Sequence, residues 1–170
     1  MALAKKKTVK KSEKIVIGRN EKVDLTNLAL KDLKAKIDTG AYTSVIHCHK
    51  IKLVISNKKK YLYFNLLDPG HPKYAKKLFK VTGFTEKKVK NSFGASEIRF
   101  AIKTPILIAG KLINAEFTLT DRSEMKYPIL LGRKLLNCKF IVDVAKINNG
   151  TKANEAKREE LKKKIKKKKS

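Results

Sequence analysis

Two short stretches hold the residue types that hydrolytic chemistry uses. The first is "KAKIDTGAYTS", residues 34–44, where a lone Asp38 closes an alternating apolar segment and runs into Thr39-Gly40-Ala41. The N–H groups of such a turn, with the hydroxyls of Thr43 and Ser44, can hydrogen-bond a carboxylate and hold it planar with a second one. Gly40 is expected to take a backbone conformation that other residues resist. The plainer reading is the polar opening of a strand-to-turn connection. The second stretch is "YPILLGRKLLN", residues 127–137, in which Ile129-Leu130-Leu131 meets Gly132 and passes into a helical turn. Alone it is a buried strand ending in a glycine.

Together, about 90 residues apart in a small β-rich domain, the two resemble the retropepsin-like aspartic peptidases. There a D-T-G-A loop carries the catalytic aspartate, and an apolar-apolar-Gly-Arg strand packs under it before a short helix. The resemblance implies Asp38 as catalyst, with Thr39, Gly40, Ala41, Thr43 and Ser44 as its loop and Leu131, Gly132 and Arg133 as its support. With "KVKNSFG", "EIRFAIKT" and "FTLTDRSEMKYPILLGRKLLNCKFIVD", the chain from about Ile15 to Val144 is similar to a narrower bacterial and archaeal family, the ATP-dependent zinc proteases. Members of that family often accompany RimK-type ATP-grasp glutamate ligases. The chain departs from it at Tyr42, where relatives commonly carry Arg, which bears on substrate preference and not on the aspartate chemistry.

The residues themselves do not suggest zinc or ATP. There is no HExxH, and the chain has three His in all. In "HCH", His47 and His49 would share one face of a strand while Cys48 points away, so ordinary strand residues and no metal are expected. A two-His site completed by a distant carboxylate is the alternative. No P-loop occurs, and no cofactor is expected.

Aspartic peptidases need two carboxylates sharing one proton across a water. Asp24, Asp32, Asp68, Asp121 and Asp143 all lack the glycine turn, so a working site is expected to pair Asp38 with its mate in a homodimer. Residues 88–100, "KVKNSFGASEIRF", form a candidate flap, strand–tip–strand, with its tip at Asn91–Ser96. Lys88, Lys90, Ser92, Gly94 and Arg99 are its expected substrate-facing residues. Cations there favour an acidic peptide, such as a glutamate-rich or glutamylated protein tail.

The elements that would position these residues read mostly as short half-buried strands. Ile51, Leu53 and Ile55 alternate, as do Ile98, Phe100 and Ile102, and then Ala115, Phe117 and Leu119. Turn signals separate them at "LDPGHP", "NSFG" and "AGK". A turn of helix is expected around Leu28–Leu33 and a short helix at "RKLLNC" after Gly132. The fold class is all-β, and the resemblance makes it a retropepsin-like closed small barrel. Residues 1–14 read as a basic arm, 15–147 as the folded domain, and 148–170 as a Lys-rich tail, disordered or helical.

The charge of +27, from 42 basic against 15 acidic side chains, is shared between core and ends. A field of that sign favours polyanions, so an alternative function is a non-catalytic binding protein held to RNA or ribosomes by its basic termini. Two cysteines 90 residues apart form no disulfide framework, and no long apolar run occurs. A cytoplasmic protein with no membrane span is therefore expected.

Overall fold

The computed structural model describes residues 13–90 and 94–167. Eleven strands dominate it: β1 (Ile15–Gly18), β2 (Asn20–Leu25), β3 (Leu30–Ile37), β4 (Ser44–Ser56), β5 (Lys59–Leu66), β6 (Leu78–Val81), β7 (Phe84–Lys90), β8 (Ser96–Ile108), β9 (Lys111–Thr120), β10 (Ile129–Leu131) and β11 (Phe140–Asp143). Two helices accompany them, α1 (Arg133–Leu136) and α2 (Thr151–Lys167). The all-β architecture expected from the alternation is the one adopted. In β3, for instance, Leu33, Ala35 and Ile37 point inward while Lys34 and Lys36 stay in water.

Hydrogen bonding in the larger sheet follows the order β10-β3-β2-β8-β9-β4-β5-β6, with β7 on β8. Because β10 also pairs with β4, six of these strands close into a ring. The three residues of β10 run parallel to β3 on one side (Leu131 beside Ile37) and antiparallel to β4 on the other (Ile129 beside Ile46). The strands on either side of the Asp38 turn are thus clamped by one short segment. The core contains Phe64, Phe117, Ile46, Leu62, Ile106 and Leu119, all nearly or fully buried. A separate two-stranded ribbon pairs β1 with β11 in parallel.

Two expectations change. The helical turn around Leu28–Leu33 shrinks to a single 3-10 turn at Thr26–Leu28, which ends where Ala29 takes the left-handed conformation (φ 56°). The strand then starts at Leu30, because Leu33 and Ala35 belong to an inward-facing alternation with period two. Of the two states expected for the tail, the helical one is adopted from Thr151 to Lys167. Its own apolar content does not explain this; polar anchoring does. The Asn154 side chain, fully buried, accepts the Gly110 N–H (2.9 Å) and donates to the Lys22 carbonyl (2.8 Å). Arg158 grips Asp24 through two nitrogens (both 2.7 Å) and Asp32 through one (2.6 Å). Before the helix, buried Glu21 accepts N–H groups from Gly18 (2.7 Å), Asn149 (3.0 Å) and Gly150 (2.9 Å). The basic arm at 1–14 lies almost wholly outside the described residues.

Candidate active site

Asp38 sits just past the end of β3, half-buried, with its N–H on the Leu131 carbonyl (3.0 Å). Its carboxylate Oδ1 accepts the N–H of Gly40 (3.0 Å) and of Ala41 (3.1 Å). Both bonds fix the plane of the group. Among the described residues Oδ2 takes no hydrogen bond, which leaves it available to a water or a second acid.

Support comes from below, as the segment around Gly132 was expected to give. The α1 N-terminus points its N–H groups into the loop: Arg133 donates to the Ala41 carbonyl (2.9 Å) and Lys134 to that of Tyr42 (3.0 Å). The Gly132 N–H donates to Ser44 Oγ (3.1 Å). Arg133 Nη1 reaches the carbonyls of Thr39 (2.8 Å) and Gly40 (2.7 Å). Every predicted loop and support residue therefore gathers around one turn, although Thr43 contributes its backbone and not its hydroxyl. Thr118 Oγ1 adds a bond to the Ser44 carbonyl (3.3 Å).

The glycine that cannot be replaced is not the one expected. Gly40 does not take a left-handed backbone conformation, and a Cβ there would lie 3.4 Å from Asp38 Oδ1, an ordinary contact. At Gly132 a Cβ would stand 2.5 Å from the Thr43 carbonyl oxygen and 2.8 Å from that of Tyr42. Close approach of two backbones, not left-handed geometry, is what this site asks of glycine.

The candidate flap is a regular hairpin, β7 on β8, with Lys87 opposite Arg99, Lys88 opposite Ile98 and Lys90 opposite Ser96. Pleating puts Lys88 and Lys90 on one face and Arg99, beside Lys87 and Glu97, on the other. The three cations expected to act together are thus divided. Gly94 lies at the tip with φ 84°, and Ser92 lies outside the described residues.

The "HCH" segment is built into the scaffold. His47, 2% exposed, donates from Nε2 to Asp68 Oδ2 (2.9 Å) and accepts the Arg122 N–H at Nδ1 (2.8 Å), which fixes its tautomer. Its own N–H bonds the Pro128 carbonyl (2.7 Å), so one histidine pins both ends of the loop from 122 to 128. His49 Nδ1 meets the Leu67 carbonyl, and its ring leans on Tyr74. Cys48 faces inward, where burial pushes its thiol well above the usual range. Among the described residues no three His, Cys, Asp or Glu side chains gather as metal ligands.

Sequence reasoning missed the His47–Asp68 pair and Arg122. The signal for Arg122 was its type: the chain has five arginines among 42 basic residues. Burial, and secondly the charge of Arg99, push the Arg122 guanidinium below its ordinary value, while the charge of Asp38 opposes them. The charges of Arg99 and Asp38 thus both act on Arg122. A groove of 580 Å³ beside the loop is lined by Thr39, Tyr42, Leu136, Cys138, Phe140 and Val142 among others. Tyr42, Ile141 and Val144 are exposed nearby.

Comparison with known proteins agrees with this geometry. Residues 16–152 match the model of the RimB-like family, described as retropepsin-like aspartic endopeptidase RimB. The chain is 30% identical over 136 residues to a protein of Desulfotalea psychrophila named as an alpha-L-glutamate ligase, covering 78% of this chain and 28% of that one. A like-named protein of Shewanella pealeana is 33% identical over 118 residues, covering 66% and 24%. The chain thus spans about a quarter of the length of the curated relatives it matches. The crystal structure of a Legionella pneumophila protein of unknown function (DUF785) superposes with a TM-score of 0.63 at 26% identity, covering 81% of this chain and 99% of the other. A D-T-G-A turn held from beneath by a Leu-Leu-Gly-Arg strand, within a matched span of 137 residues, places the chain in the RimB-like family of retropepsin-like aspartic endopeptidases.

Proposed function

We propose that this protein is an aspartic peptidase whose site is completed by a second copy of the chain and which acts on acidic, glutamate-rich peptide. The observation that carries the reading is the Asp38 carboxylate. It is oriented by two N–H bonds on Oδ1, and Oδ2 is left to react. No other Asp of the sequence stands in an Asp-Thr-Gly turn, so the second acid comes from a partner. The groove at Thr39, Tyr42, Phe140 and Val142, with Ile141 and Val144 exposed beside it, is an apolar surface for such a partner next to the catalytic turn.

In that dimer the two Asp38 carboxylates hold one proton between them, because like charges so close do not both ionise. The ionised one takes a proton from the bridging water as it attacks the scissile carbonyl. The protonated one donates to the carbonyl oxygen as it becomes tetrahedral. Collapse of the intermediate returns a proton to the leaving nitrogen and breaks the C–N bond. The preference for glutamate draws support from the basic charge of the chain and from the names of its relatives, which are those of glutamate ligases.

The test pairs wild type with Asp38→Asn on a peptide ending in several glutamates, from pH 4 to 8. Turnover confined to the wild type supports the reading; equal turnover from both, or none from either, refutes it. A second reading, attachment to RNA through the basic ends, draws on α2, whose Lys162, Lys163, Lys164, Lys166 and Lys167 are all exposed. Truncation after Asn149 should then lower RNA affinity and flatten its salt dependence.

A further inference from the structure

Four of the five arginines have partners inside the protein. Arg19 donates to the Val144 carbonyl, Arg99 pairs with Glu97, Arg133 holds the catalytic turn, and Arg158 grips Asp24 and Asp32. Arg122 differs. It is half-buried, yet among the described residues it forms no ion pair, and its side chain makes one bond at the limit of reach, Nε to the Tyr127 carbonyl (3.5 Å). A guanidinium has five N–H donors in a rigid fork that matches a carboxylate. Holding that fork partly out of water without an anion is costly.

Its mounting is firm although its head is unpaired. The Arg122 N–H is held by buried His47, the Met125 N–H bonds the Arg122 carbonyl (2.9 Å), and Asp121 accepts the Ser123 N–H (2.9 Å). These contacts use main chain, so the side chain is free to serve a ligand. The loop that bears it leaves β9 and enters β10, the strand that supports Asp38.

We propose that Arg122, assisted by Arg99, is the receptor for a carboxylate of the substrate, the side chain of a glutamate lying beside the scissile bond. Resting on the peptidase reading above, the assignment deepens it by naming the group that recognises the acid. Arg122 offers two parallel N–H bonds to the carboxylate, and Arg99, whose Nε and Nη2 are taken by Glu97, adds only a weaker field from the β7–β8 hairpin. A neutral glutamine in the same place would accept only one of the two and leave the rest of the fork unpaired.

The experiment uses the full chain carrying Asp38→Asn, so that peptide is bound without being cut. A fluorescent octaglutamate, amidated at its C-terminus so that only side chains carry charge, is titrated at low and moderate salt and followed by anisotropy. Arg122→Gln should weaken binding about tenfold or more, the value of a charge-assisted bidentate contact. Arg122→Lys should restore part of it, because an ammonium keeps the charge but not the fork. Lys126→Gln, the same loss of charge at an exposed position of the same loop, should change it less than threefold. Octaglutamine should bind weakly and alike to all four proteins. Equal losses from Arg122→Gln and Lys126→Gln, or full rescue by Lys, overturn the proposal. Thermal melts of each variant show that the loop still folds. Turnover by the wild type is scored separately. Arg122-dependent binding without turnover refutes the peptidase reading alone, and turnover without Arg122-dependent binding refutes this inference alone.

Discussion

Gly132→Ala is the sharpest probe of how the Asp38 turn is held. The added methyl would lie 2.5 Å from the Thr43 carbonyl oxygen and 2.8 Å from that of Tyr42. Both are backbone atoms, so no side chain can swing away, and the strand and the loop must separate. Forcing apart packed backbones costs about 2 kcal/mol. Weakening the bonds from Gly132 N–H to Ser44 Oγ and from Arg133 N–H to the Ala41 carbonyl adds about 1 kcal/mol more. A loss of about 3 kcal/mol lowers the melting temperature of a chain this size by roughly 6–12 °C. Displacing Asp38 by about an ångström also lowers turnover on the order of a hundredfold. The assay is a calorimetric melt beside steady-state kinetics, with Gly40→Ala in parallel. At Gly40 the methyl makes only an ordinary contact, so its melt should stay within about 1 kcal/mol of wild type. A Gly132→Ala protein melting within 2 °C of wild type, or the reverse order of the two variants, would refute the reasoning.

Other outcomes follow from the anchoring of α2 and from the groove. Arg158→Met leaves the buried carboxylate of Asp24 with only the Asp32 N–H, and should cost about 2 kcal/mol and open α2 to proteolysis. The hydrogen bond from Arg158 holds Asp32 below the usual carboxylate range. A depressed value means that this contribution is complete above the ordinary range and is lost as pH falls through the folded value, so α2 should stay protected from amide exchange at pH 6 and lose protection as the solution is acidified below the ordinary carboxylate range. Ile141→Lys puts charge on the exposed face of β11 beside the groove. It should shift sedimentation from dimer to monomer and reduce turnover with little change in the melt; an unchanged dimer would remove that surface from the interface.

The Asp38 turn was legible because its parts are local. Asp38, Thr39, Gly40 and Ala41 are contiguous, and so are Leu131, Gly132 and Arg133, so each half reads without knowledge of the fold. The period-two alternation gave the strands for the same reason. What escaped depends on partners far apart in the chain. Glu21 looks like one more surface acid until its carboxylate meets Asn149 and Gly150, and α2 looks unanchored until Arg158 finds Asp24 and Asp32. The division of Lys88 and Lys90 from Arg99 is a matter of strand parity, and it needs the hairpin register before it can be assigned. The choice between Gly40 and Gly132 was obscured because both stand in turns; only the distance between two backbones separates them.

The clamp formed by β10 also sets when the site can exist. The contact between Arg133 and the Thr39 carbonyl spans 94 residues of chain, and β10 has to arrive on both β3 and β4 to complete the ring. Pairings of such separation form late, after local hairpins such as β8–β9 are in place. During synthesis, then, the Asp38 turn emerges before the strand and the arginine that support it, which follow only when residues beyond Leu131 have left the ribosome. Orientation of the turn is in this way tied to topology: it is fully held only in a chain whose β10 has reached both β3 and β4 and whose Arg133 has closed on Thr39 and Gly40.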